Sequence, residues 1–84
     1  MNLEKFEKIW EREIKKSDYI MVYLKNGALI NTEKYEIITS HEIMLWYGDH
    51  WVALVPISVI KNVEGRTWIY GKIDDKNNTE QGSD

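Results

Sequence analysis

The chain contains no cysteine. Disulfide frameworks, cysteine-based zinc sites and thiol nucleophiles are therefore excluded. The same absence fits a reducing compartment, and a cytoplasmic location is expected. No apolar run approaches the roughly 18 residues of a membrane span, so no membrane partner is expected. The opening stretch MNLEKFEKIWEREIKK is charged throughout, unlike a secretory signal. A basic excess is also missing: the formal net charge is −3. Generic nucleic-acid binders carry such an excess, so strong nonspecific binding is not expected. Metal and acid–base chemistry have few carriers. His41, Glu42, Asp49 and His50 are the only candidates, and the two histidines sit nine residues apart on different turns. No GxSxG, HExxH or phosphate-cradling loop occurs. An enzyme is not expected, and no cofactor or metal is implied.

What is present suffices for one small core. The 84 residues are 43 % hydrophobic and 30 % charged, which excludes a disordered or collagen-like chain. A chain of this size buries only about 60–65 % of its unfolded surface. Small folds without covalent staples often gain burial by oligomerising. The charge is unevenly spread. Residues 1–72 carry ten bases and ten acids, whereas residues 73–84 hold four acids against Lys76 alone. We read 1–72 as a single domain and 73–84 as a disordered acidic tail; DDKNNTEQGSD contains no apolar residue.

Residues 2 to about 16 predict a helix. Leu3, Phe6, Ile9 or Trp10, and Ile14 recur at spacings of three and four. Asn2 is a suitable N-cap, and Glu4 and Glu7 complement the positive end of the dipole. From Tyr19 the period becomes two. Ile20, Val22 and Leu24 share one strand face, and Tyr19, Met21 and Tyr23 the other. Asn26-Gly27 then predicts a hairpin, since both residues tolerate positive φ. ALINTEKYEII is the return strand, bent around residues 31–36. EIMLWY is a third strand and WVALV a fourth. Pro56 marks a break into a 3₁₀ turn. VIKNV is a fifth strand, and Gly65-Arg66 predicts a turn into TWIYGK as a sixth. The expected fold is mainly β. An N-terminal α-helix precedes five or six strongly bent antiparallel strands in a small barrel that hides its edges.

Three features carry a family resemblance. A charged helix runs into YIMVYLKNG. The Tyr47-Gly48-Asp49 turn follows about twenty residues later. Pro56-Ile57-Ser58-Val59-Ile60 comes next, at the spacing of a 3₁₀ turn and last strand. Over roughly residues 3–63 this resembles the Sm-like fold (an SH3-like small barrel), and its Hfq branch in particular. The resemblance implies a cytoplasmic homo-oligomeric ring, a hexamer or heptamer, that binds single-stranded RNA without catalysis. Tyr23 matches the first-strand aromatic that stacks adenine in Hfq, close to Gly27. The departures are specific. LINTEKY lacks the family's second-strand glycine. Thr39 and Ser40 stand where an Asp-containing loop cradles a base. Tyr47 replaces the arginine of the Arg-Gly turn, and Leu54 and Val55 fall where Hfq has a Lys-His pair.

The remaining candidates have two readings. Tyr23, Trp46, Tyr47, Trp51, Trp68 and Tyr70 suit either a stacking platform for bases or a core and subunit interface. The third strand is apolar on both faces, which calls for a partner surface. Lys25, Asn26, Lys61, Asn62 and Arg66 suit phosphate or base-edge contacts, or ordinary solvated turns. We take Tyr23, Lys25, Asn26, Gly27 and Tyr47 as the expected RNA-binding residues. The alternative is an SH3-like protein-interaction module that binds no RNA, favoured by the neutral body and the lost basic residues.

Overall fold

A computed structural model of the chain describes residues 1–68. The expected acidic tail at 73–84 lies outside the described residues. So does most of the expected sixth strand; Thr67 and Trp68 are described and take no strand conformation.

The helix α1 spans Leu3–Ile14, and the Asn2 side chain caps it by accepting from the Lys5 N–H at 2.8 Å. Phe6 and Trp10 are its buried residues, with Leu3, Ile9 and Ile14 packed at the margin of the core. Six strands follow: β1 Tyr19–Leu24, β2 Leu29–Thr32, β3 Lys34–Ile37, β4 Glu42–Tyr47, β5 His50–Pro56 and β6 Ile60–Arg66. A 3₁₀ turn, η1, occupies Ile57–Val59 between β5 and β6. The fold is thus mainly β with one N-terminal helix.

The expected small barrel does not close. Among the described residues the strands make two three-stranded antiparallel sheets, ordered β2-β1-β6 and β3-β4-β5. β5 and β6 do not pair, and η1 lies between them. It carries the chain from one sheet to the other, so β5 and β6 are consecutive in sequence yet edge different sheets. A second correction concerns Gly65-Arg66. These residues are not a turn but the end of β6, with Ile20 opposite Gly65 and Tyr19 opposite Arg66. Glycine is required there for close packing. A Cβ on Gly65 would lie 2.7 Å from the Glu13 carbonyl oxygen and closer still to the Ser17 hydroxyl. The end of the helix segment can therefore rest on β6, and the Glu13 carboxylate accepts the Gly65 N–H at 3.0 Å.

The bend in the return strand falls at Glu33, between β2 and β3, and no glycine makes it. Thr32 is fully buried, with its hydroxyl 2.8 Å from the Trp46 carbonyl and 3.0 Å from that of Lys34. The Trp46 carbonyl also accepts the Glu33 N–H at 2.7 Å. One carbonyl of β4 thereby holds both sides of the bend.

The core lies between the sheets and under the helix. Ile20, Val22 and Val63 face Ile43, Leu45 and Val55, with Ile57, Ile60, Phe6 and Trp10 completing it. Tyr35 of β3 meets Phe6 and Trp10 edge-on, at centroid distances of 5.0 and 4.8 Å. Apolar burial and these edge-to-face contacts tie α1 to the second sheet. Burial, with the charges of Glu7 and Glu11, pushes the Tyr35 hydroxyl pKa up.

Candidate nucleic-acid interface

Strand alternation sends Ile20, Val22 and Leu24 inward and leaves Tyr19, Met21 and Tyr23 on the outer face of β1. The same face receives Leu29 and Asn31 from β2, and Asn62, Glu64 and Arg66 from β6. Tyr23 stands on the central strand near its hairpin end, opposite Leu29 on one side and Asn62 on the other. The Tyr23 hydroxyl donates to Glu64 Oε1 at 2.6 Å and accepts from Arg66 Nη2 at 2.5 Å. Arg66 Nη2 also donates to Glu64 Oε1 at 3.1 Å. The three side chains form a closed ring of hydrogen bonds that fixes the phenol at its far end. The Tyr23 hydroxyl and the Glu64 charge hold the Arg66 guanidinium above its ordinary pKa.

The hairpin turn adjoins Tyr23. Gly27 takes φ +92°, the Asn26 side chain accepts the Ala28 N–H at 2.9 Å, and the Leu24 N–H bonds the Ala28 carbonyl. The Lys25 N–H donates to the Val59 carbonyl at 2.8 Å, which anchors the turn to η1. Lys25, Asn26 and Gly27 are exposed at the same end of β1 as Tyr23.

Tyr47 is elsewhere. It closes β4 and packs with Tyr19 and Trp68, at centroid distances of 6.5 and 6.2 Å. Trp68 in turn lies 4.7 Å from the Tyr19 ring, and its N–H donates to the Asp18 carboxylate. Tyr19 begins β1, four residues and about 13 Å along the strand from Tyr23. The structure therefore groups Tyr23 with Lys25–Gly27 and sets Tyr47 in a separate aromatic cluster. The turn after Tyr47 is held by Gly48, at φ +63°, whose N–H donates to Glu33 Oε1 at 2.7 Å. Burial, with the nearby Glu33 charge, pushes the Tyr47 hydroxyl pKa up.

The second sheet has a different outer face. Trp46 and Met44 of β4 stand opposite Trp51 and Leu54 of β5. Trp51 is 63 % exposed, Leu54 50 % and Val52 43 %. Lys34 Nζ lies 5.6 Å from the Trp46 ring centroid, a cation–π distance. A register shift between Leu45 and Trp46 makes Val52 the extra residue of a β-bulge on this edge.

Among the described residues no cluster of three or more histidine, aspartate or glutamate side chains is arranged to hold a metal ion. Asp49 and His50 approach to 3.6 Å but are almost fully exposed. No described helix is long and apolar enough to cross a membrane. Residues missed in the sequence reading of the Tyr23 site are Glu64 and Arg66 as its partners. Their separation from Tyr23 by about forty positions left no local signal. No family model, curated protein or solved structure matches the chain.

Proposed function

We propose that the chain is an Sm-like subunit that assembles head-to-tail into a ring and binds single-stranded RNA on the outer face of the β2-β1-β6 sheet. The observation that carries this reading is the pair of free edges. Among the described residues neither β5 nor β6 has a strand on its outer side, and β5 exposes Trp51, Val52 and Leu54. A long apolar edge such as β5 invites pairing with another chain. An edge from each sheet, β5 of one copy against β6 of the next, gives a heterologous contact that closes when the rotation per subunit allows. The family resemblance in YIMVYLKNG and PISVI points to a hexamer or heptamer. The half-buried Tyr23, with Leu29 and Asn62 beside it, supplies a flat surface on which a base stacks. Stacking, more than charge, would then carry affinity, since residues 1–72 are neutral.

Two measurements test the reading. Solution mass should be about 60 or 70 kDa, six or seven copies of 10.0 kDa. Filter binding at low salt should detect A-rich or U-rich oligonucleotides. A monomer would overturn the assembly. A stable oligomer without RNA binding would favour the protein-interaction module, which the neutral charge of the body also supports.

A further inference from the structure

Arg66 is the cation that the fold brings to the Tyr23 ring, although its backbone lies opposite Tyr19. Its side chain therefore runs along the outer face of the sheet. Nη2 spends its two N–H groups on the Tyr23 hydroxyl and Glu64 Oε1. Nε and Nη1 carry three further N–H groups, and among the described residues these have no protein acceptor. The side chain is 44 % exposed. A guanidinium held by one nitrogen, with its other donors facing solvent, is a pre-organised donor to a phosphodiester.

We propose that Arg66 is the phosphate anchor of this face: a nucleotide whose base lies on Tyr23 sets its phosphate against Nε and Nη1 of Arg66. The assignment rests on the RNA-binding reading above. Glu64 has the opposite influence. Its carboxylate fixes Arg66 and Tyr23 but repels the incoming phosphate, so it sets an upper bound on affinity.

The salt dependence of binding separates a phosphate contact from a stacking contact. Each phosphate neutralised on a single strand adds about 0.7 to the slope of log K against log salt. With an A-rich or U-rich oligonucleotide that the full chain binds, Arg66→Gln should lower that slope by about 0.7. Arg66→Lys should keep it. Tyr23→Ala should weaken binding with the slope unchanged. Glu64→Gln, which keeps an acceptor for the Tyr23 hydroxyl, should tighten binding. If Arg66→Gln fails to fold, the Arg66→Lys and Glu64→Gln results decide. Weaker binding at an unchanged slope in Arg66→Gln would reduce Arg66 to a positioning residue for Tyr23 and overturn the proposal, as would weaker binding in Glu64→Gln. Absence of binding by the unmodified chain would overturn both this proposal and the RNA reading.

Discussion

The two sheets have the same strand count and the same inward chemistry, yet their outer faces differ. On β2-β1-β6 the outer face mixes Tyr19 and Tyr23 with polar Asn31, Asn62, Glu64 and Arg66 beside Met21 and Leu29, and Tyr23 is tied into the hydrogen-bonded ring with Glu64 and Arg66. On β3-β4-β5 the outer face carries Met44, Trp46, Trp51 and Leu54 across adjacent strands. A monomer needs one apolar face per sheet. The β3-β4-β5 sheet carries a second apolar face, with Trp51 and Leu54 exposed, whereas the β2-β1-β6 face carries a hydrogen-bonded polar network. The proposed assembly uses the β3-β4-β5 sheet and its edge, and the proposed RNA contact uses the other.

A charge on the β3-β4-β5 sheet gives the largest expected effect. Leu54→Asp and Val52→Asp should abolish assembly, because an uncompensated charge in a buried interface costs about 3–5 kcal/mol. Both side chains are at least 43 % exposed in one copy, so each variant should retain its fold by circular dichroism. Asn31→Asp on the other sheet is the matched control and should leave the oligomer intact. Sedimentation that finds an unchanged oligomer for both edge variants would remove the β3-β4-β5 sheet from the interface.

The β2-β1-β6 sheet is next. Tyr23→Ala should weaken RNA binding by about 1–3 kcal/mol, the range of one base–aromatic stack, while the oligomer persists. Tyr23→Phe keeps the ring but frees Glu64 and Arg66, so a smaller loss of about 1 kcal/mol is expected, one net hydrogen bond. Equal losses in the two variants would mean that the hydroxyl, not the ring face, carries recognition. Loss of folding in Tyr23→Ala would instead place the ring in the core.

Local chemistry was legible wherever neighbours in sequence determine it. The Asn2 cap, the stripe through Phe6 and Trp10, the inward set Ile20 and Val22, and the Asn26-Gly27 hairpin are all short-range, and all appear where expected. Failures came where one residue type serves two purposes. Gly65 carries the signal of a turn, but its role is to admit the Glu13 carbonyl and Ser17 against a strand. That role depends on a contact across about fifty positions. The bend at Glu33 was expected, yet its cause was not visible. The hydroxyl of Thr32 replaces conformational freedom with a hydrogen bond to Trp46, and nothing near LINTEKY announces that partner. The Tyr23 site was legible as a ring on an outer face. Its Glu64 and Arg66 partners were not, because β6 reaches β1 only through tertiary pairing.

Thr32 joins the two sheets, and its loss should cost less than either face. Thr32→Val preserves shape and removes the hydroxyl, while the Trp46 carbonyl still accepts the Glu33 N–H. A loss of about 1 kcal/mol is expected from one net hydrogen bond, read as a shift in the urea midpoint at constant m-value. No shift would mean that Glu33 alone holds the bend. A changed m-value would mean that the two sheets no longer unfold together.

The smallest effect concerns how α1 touches each sheet. Its contact with the second sheet is the apolar trio Phe6, Trp10 and Tyr35, which does not titrate near neutrality. Its contact with the first includes the Glu13 carboxylate on the Gly65 N–H, with Arg12 Nε at 3.2 Å on the other oxygen. The Gly65 N–H, followed by Arg12, holds the Glu13 pKa below the ordinary value of 4.5. The unfolded chain therefore binds this proton at a higher pH than the folded one. The stabilisation is fully present above about pH 4.5, and it is lost as pH falls through the lowered folded value. Glu13→Gln keeps an acceptor for Gly65 but cannot titrate. Urea midpoints of the two proteins should differ most near pH 7 and converge toward pH 3, while the remaining carboxylates titrate alike in both. A constant difference across that range would show that the tether to the first sheet acts by shape, like the aromatic contact to the second.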